Sequence, residues 1–225
     1  VLDSPILSNS QIKKFKKLFA SKIRTIDCTF KTTETLKEGL EKIKNEAEIS
    51  VREGSTTLIL SDKNIGITRA NIPMVLAVGA INSHLVNLGL RGYCSINVET
   101  SETLDTHSFA VLIGVGATTI NPYLTIDSIF QRFEKKLFGE LSFNDCVLRF
   151  KKSIENGLLK IMSKMGISVI SAYRGGCNFE TVGLSRALVS DYFPGMVSRI
   201  SGIGIKGIEE KIKELHEKAF KKDVY

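Results

Sequence analysis

The run Gly157-Leu-Leu-Lys-Ile-Met-Ser-Lys-Met-Gly166 leads directly into Ile167-Ser-Val-Ile170-Ser-Ala-Tyr173-Arg174-Gly175-Gly176. Its first half carries an apolar stripe that ends at Gly166, as helix C-termini commonly do. Residues 167–170 are rich in β-branched side chains, which predicts a strand. A turn of small residues then passes through Cys177-Asn-Phe-Glu180 into a helix predicted around Phe179. In a parallel α/β fold the turn after a strand's carboxyl end is where ligands and partners sit. Tyr173, Arg174 and the Gly175-Gly176 pair are predicted to occupy that position.

The same alternation fills the rest of the chain. An extended lead-in, residues 1–7, is followed by Ser8-Asn9-Ser10, which can cap a helix with Ile12, Phe15 and Phe19 on one face. Residues 23–30 predict a first strand. A helix opened by Thr32 and Thr33 follows, with Leu36, Leu40, Ile43, Ala47 and Val51 in register and Gly54 as its stop. Residues 56–60 are nearly all apolar, as in a strand covered on both faces. Asn71 and Pro73 open a long apolar helix that Gly89 closes. A third strand is predicted over 92–98, a helix over 102–113 and a fourth strand over 117–120. Helices over 125–137 and from Asn144, the latter with Val147, Phe150, Ile154, Leu158, Ile161 and Met165 in one stripe, lead back to the opening run.

Beyond that run, residues 185–193 predict a helix and Ser201-Gly-Ile-Gly-Ile-Lys-Gly207 a glycine-rich turn. A terminal helix follows, with Ile208, Ile212, Leu215 and Ala219 inside and the Glu209/Lys213 and Glu214/Lys218 pairs outside. The expected fold class is α/β, a mostly parallel sheet with alternating helices joined by right-handed crossovers. Five strands are too few to close an eight-stranded barrel, so the sheet is either open or a partial (β/α) barrel completed by other chain.

The 225 residues suffice for one large α/β domain or two small ones. With 43% hydrophobic and 24% charged residues the composition is that of a soluble globular protein. No apolar run can span a bilayer and no signal-peptide layout is present, so the expectation is a cytoplasmic protein with no membrane partner. Val1 stands where an initiator Met would, as in a piece of a longer protein or a processed terminus. The net charge of +7 comes from paired lysines, such as Lys13-Lys14, Lys16-Lys17 and Lys221-Lys222. They fall on predicted solvent faces without nucleic-acid motifs, so no nucleic-acid partner is expected. Cys28, Cys94, Cys146 and Cys177 are widely spaced, which suits buried reduced thiols and neither a disulfide frame nor a metal cluster.

Polar residues collect at predicted strand ends: Asp62, Glu99, Asn121 and Tyr173-Arg174. They form either a catalytic rim or the ordinary caps of βα turns, and the second account is preferred because such turns are polar in any case. His84, His107 and His216 show no metal-ligand spacing, and no serine or cysteine stands in a nucleophile motif. Gly114-Val-Gly116 precedes a predicted strand, the wrong order for a dinucleotide loop, and reads as a helix stop. The glycines near residue 204 read as a flexible joint, with Arg199 beside them able to meet a carboxylate or a neighbouring domain.

Several stretches together resemble the central domain of the glutamate synthase large subunit. They include Leu2-Asp-Ser-Pro-Ile-Leu-Ser-Asn9, Leu58-Ile-Leu-Ser-Asp62, Ile72-Pro-Met-Val-Leu-Ala77 and His107-Ser-Phe-Ala-Val-Leu-Ile-Gly114. Asn121-Pro-Tyr123, residues 157–171, Tyr173-Arg-Gly175, Phe179-Glu180, Val182-Gly-Leu184 and Ser198-Arg-Ile-Ser-Gly-Ile-Gly204 continue the match in the family's order. The resemblance implies a non-catalytic connecting domain over residues 1–200, lacking its first part, with 201–225 as a linker and helix toward an FMN-binding domain. It implies a parent that moves the amide nitrogen of glutamine, as ammonia, through a channel to make glutamate from 2-oxoglutarate. The parent's FMN, iron–sulfur cluster and electron donor, NAD(P)H or ferredoxin, lie outside this chain on that reading, as does the amino-terminal cysteine nucleophile.

The implied partners are the amidotransferase and FMN synthase domains. Asn121, Tyr173, Arg174, Gly175 and Arg199 become candidates for channel bracing or domain contact, with no catalytic, cofactor-binding or metal-binding residue expected. Two places depart from the family pattern. Ile170-Ser-Ala-Tyr-Arg-Gly-Gly-Cys-Asn178 stands where the family often has Gln-Ser-Tyr-Arg-Gly-Ala-Gln, and Asn82-Ser83 replaces a histidine common near His84. The missing first part is expected to leave an apolar surface uncovered. The alternative is a small stand-alone barrel-like enzyme using Asp62, Glu99, Asn121 and Arg174; a weaker third is a basic nucleic-acid-binding module.

Overall fold

The computed structural model describes residues 3–176 and 178–221, so Cys177, Lys222 and the first two residues of the lead-in lie outside it. Its centre is a parallel sheet of β1 (Ile23–Asp27), β3 (Thr57–Ser61), β5 (Ser95–Glu99) and β6 (Thr119–Asn121), paired in that spatial order. β2 (Thr29–Lys31) and β4 (Arg69–Asn71) form a small antiparallel ribbon beside it. The first strand expected over 23–30 is thus two, broken at the buried Cys28.

Strands follow one another across the sheet without a reversal of order. The helices α2 (Leu36–Arg52), α3 (Met74–Asn87) and α4 (Thr106–Gly114) join one core with Ile26, Leu58, Leu60, Ile96, Val98 and Ile120. The other sheet face carries Thr57, Ser61, Asn97, Glu99, Thr119 and Asn121 around Ile59, and α1 (Asn9–Leu18) covers Ile59 with Ile12 and Phe15. Sequential strand order with the connecting helices on one side is barrel winding; a doubly wound sheet reverses its order. The α/β parallel, partial-barrel expectation holds.

Helix starts follow their caps. Ser8 and Gln11 form a capping box on α1, and Thr35 and Glu38 do so on α2, three residues later than Thr32 suggested. The α3 N-terminus has no side-chain cap at Pro73; Glu102 supplies one from afar, its Oε2 accepting from Met74 N at 2.8 Å. α5 (Tyr123–Glu134) and α6 (Phe143–Lys164) pack together, and α6 lies against α4.

Residues 167–170 do not form the expected fifth strand. Gly166, at φ 70°, turns the chain out of α6, and the short helix α7 (Ile170–Tyr173) follows with Val169 and Ile170 exposed. The place beside β6 is already taken by the lead-in: Leu7 N donates to Ile120 O at 2.9 Å and Ile120 N to Pro5 O at 2.8 Å, with Ile6 bridging Ile120 in parallel.

The helix expected around Phe179 is instead β7 (Glu180–Leu184), and the glycine-rich joint is part of β8 (Val197–Ile203). These two strands pair in parallel across α8 (Arg186–Tyr192). A Cβ on Gly202 would run into the Gly183 carbonyl, so glycine here serves close strand packing. The terminal helix α9 (Ile205–Phe220) packs Ile208 and Ile212 against the core as expected, and only its later turns depart from the expected face. His216 is buried and Leu215 is exposed, while Glu209 accepts from Leu36 N at 2.8 Å and faces α2.

Candidate functional site

The carboxyl ends of β3, β5 and β6 gather Asp62, Glu99 and Asn121, all buried. Parallel strands ending level with one another deliver their last residues to one rim, which is why these three meet. Glu99 sits between two lysines, Lys16 Nζ to Oε2 at 2.7 Å and Lys63 Nζ to Oε1 at 2.9 Å. Burial pushes its carboxyl up, but the hydrogen bonds and charges of the two ammonium groups outweigh that and hold it below the usual carboxylate range. Lys63 also lies over the Tyr123 ring, 4.9 Å from its centroid.

Asp62 organises the loop after β5. Its Oδ2 accepts from Thr100 Oγ1 at 2.9 Å, Ser101 N at 2.8 Å and Ser101 Oγ at 3.0 Å, while Oδ1 is buried and unpartnered. Burial, followed by the nearby Asp62 carboxylate, drives the Tyr123 hydroxyl far up. Burial also raises the Glu102 carboxyl, helped by the charge of Asp62 and opposed by its bonds to Met74 N and Asn71. Asn121 ties the lead-in to the sheet, donating from Nδ2 to Leu7 O and to Asn9 Oδ1, each at 2.9 Å.

The rim therefore consists of a neutralised carboxylate, a carboxylate engaged by a loop and an amide bound to backbone. Each has a structural partner that its geometry accounts for. Glu102 and Lys63 are part of this network, although the sequence reading singled out neither. Lys63 directly follows Asp62 in the chain, whereas only the fold could bring Glu102 to Met74.

Arg174 is not at this rim. Its Nη1 donates to Thr118 Oγ1 at 3.2 Å, and Thr118 lies just before the amino end of β6. The set Asp62, Glu99, Asn121 and Arg174 required by a rim enzyme is thus split between opposite ends of the sheet. The cause is the absent fifth strand: α7 follows α6 directly and leaves the turn beside the C-terminus of α4, where Gly175 N donates to Gly114 O at 2.9 Å. Tyr173 is buried edge-on against Phe179, centroids 6.3 Å apart, and burial raises its hydroxyl. Arg199 is exposed on β8 and pairs with Glu180 at 3.2 Å.

Cys28, Cys94 and Cys146 are free and buried, and among the described residues no three His, Cys, Asp or Glu side chains could hold a metal ion. Burial raises the Cys28 thiol, followed by the charge of Asp27, which is unsuited to a thiolate ligand. Gly116 packs against Asn82 and residues 201–203 are strand, so neither glycine-rich stretch offers a phosphate cradle. No described helix is long and apolar enough to cross a membrane.

A family model described as the glutamate synthase central domain matches residues 1–185. The chain is 50% identical over 226 residues to the glutamate synthase [NADPH] large chain of Azospirillum brasilense, covering 99% of this chain and 15% of the relative. The corresponding large chain of Bacillus subtilis (strain 168) is 39% identical over 224 residues, covering 99% and 14%. A ferredoxin-dependent glutamate synthase of Pyropia yezoensis is 35% identical over 232 residues, covering 97% and 15%. The chain spans about 15% of the length of the first of these relatives.

Proposed function

The chain belongs to the glutamate synthase central domain family, and from that we propose that it is the connecting domain of a glutamate synthase. The supporting observation is the match over 99% of the chain to a large chain of which it forms only 15%. In such a parent, glutamine hydrolysis releases glutamate and ammonia, and the ammonia with 2-oxoglutarate, two electrons and the accompanying protons gives a second glutamate and water. The connecting domain joins the amidotransferase and FMN synthase domains and braces the ammonia channel between them. FMN and the iron–sulfur cluster belong to the synthase part, with NAD(P)H or ferredoxin as donor, in a cytoplasmic enzyme.

The residues here serve geometry on this reading. Asn121 fixes the lead-in to the sheet edge. The Arg174-Gly175 turn, braced from behind by the buried Tyr173, and Arg199 present docking points for the neighbouring domains, at the amino end of the sheet and on β8. Replacing Arg174 by Ala in the full parent tests this. The expected result is that glutamine hydrolysis outruns glutamate formation, with each half-reaction near its original rate when assayed alone. Equal loss of both half-reactions would show a turn that only stabilises the fold.

A further inference from the structure

β7 and β8 form a two-stranded parallel sheet, and parallel sheets occur almost only with both faces covered. One face is covered. α8 packs on the pair, and its Leu188 and Val189 join the main core, with Met196, just before β8, packed against it. On the rest of the pair stand Val182, Val197, Ile200 and Ile203, at 68%, 52%, 62% and 50% exposure. Val182 and Ile200 are register partners, so these side chains are contiguous across the strands. No third strand pairs with either among the described residues. Arg199 and Glu180 pair across the two strands beside this apolar surface.

Four branched side chains at half exposure or more on a sheet of two strands cannot be explained by the scattered surface apolars of a monomer. A sheet so small is also marginal alone. We propose that this face of β7 and β8 is an interface, covered in the intact protein by polypeptide of the parent that lies outside these residues. Two observations favour that occupant over a second copy. The relative of 50% identity carries most of its length outside the matched segment. The strand pair also straddles the edge of the family match, with β7 inside residues 1–185 and β8 beyond them. The inference needs only a longer parent and is independent of the ammonia reading.

The test uses the full-length parent carrying Ile200→Cys or Val182→Cys, with Glu53→Cys, on an exposed helix end, as reference. Maleimide labelling is read peptide by peptide by mass spectrometry. Labelling of the two strand positions is expected to be at least tenfold slower than the reference in the native parent, and equal to it after denaturation. Equal native rates would overturn the proposal. Slow labelling that rises to the reference rate on dilution would identify a second copy as the cover and overturn the choice of occupant. Hydrogen exchange on the unsubstituted parent guards against disturbance by the cysteines: residues 180–184 and 197–203 are expected to be protected, and complete exchange at the earliest time would overturn the proposal. Slow labelling together with unchanged coupling in Arg174→Ala would retire the ammonia reading and leave the interface standing.

Discussion

Lys16 and Glu99 clamp α1 to the carboxyl end of β5 in the parallel sheet, Nζ to Oε2 at 2.7 Å, from positions 83 residues apart. Lys63 holds the other carboxylate oxygen at 2.9 Å, so the buried charge is matched from both sides. A carboxylate this deep is tolerated only with such partners, and removing its charge strands two ammonium groups around an uncharged acceptor.

Glu99→Gln is expected to cost about 2 kcal/mol, since the lysines are partly exposed and screened. Its folded-state pKa is depressed, so the stabilisation is present above the unfolded carboxylate value near 4.3 and is lost as pH falls through the folded value. Thermal melts between pH 7 and pH 3 should show the native chain losing stability in acid and the variant losing less. Parallel melting curves would contradict this role for Glu99.

Glu102 has the opposite sign. Burial raises its carboxyl, so its contribution declines as pH rises from the unfolded value through the folded one. Glu102→Gln keeps an acceptor for Met74 N and should be neutral, or stabilising by up to about 1 kcal/mol at pH 7, whereas Glu102→Ala should cost about 1–2 kcal/mol by uncapping α3. Chemical denaturation of the two variants decides; equal losses would mean that the cap has no separate value.

Gly202→Ala places a methyl group against the Gly183 backbone, 2.8 Å from its Cα, where only movement of one strand relieves the clash. Faster proteolysis within residues 180–203 and a lowered melting temperature are expected. Gly92→Ala, with open space around the new Cβ, should leave both unchanged. A stable Gly202→Ala would show that the strand pair is looser than its geometry implies.

Asn121→Leu removes both ties to the lead-in and should cost about 2–3 kcal/mol, from two lost hydrogen bonds and orphaned acceptors at Leu7 and Asn9. Hydrogen exchange at Leu7 and Ile120 should quicken ahead of exchange elsewhere in the sheet. Uniform quickening would mean global destabilisation instead.

Much of this was legible in the residues. Ser8 and Ser185 marked helix starts that the structure keeps, and the apolar run before Asp62 marked a strand buried on both faces. Asp62, Glu99 and Asn121 reached one rim because three predicted strands were real. Residues 167–170 misled because β-branched content reports what fits a sheet, and only the whole fold reveals that Pro5 and Leu7 already hold the adjacent edge. The glycines at 202 and 204 suggested a turn, where one of them lets two backbones approach. Arg174 fell at the wrong end for the same reason that the fifth strand failed. In the later turns of α9 a buried His216, bonded through Nε2 to Gly66 O at 2.8 Å, replaces the Leu215 that periodicity favoured, while Ile208 and Ile212 keep the expected face.

The pairing of the lead-in with β6 also sets an order of events during synthesis. Leu7 leaves the ribosome 114 residues ahead of Asn121, the residue whose side chain holds it. At ordinary elongation speeds of about 5–20 residues per second, the lead-in is without its partner for roughly 6–23 s. Closing that edge is a late, long-range step of high contact order, so α1 and the first strands must stay soluble meanwhile. The lysines of α1 keep that waiting surface charged until β6 arrives.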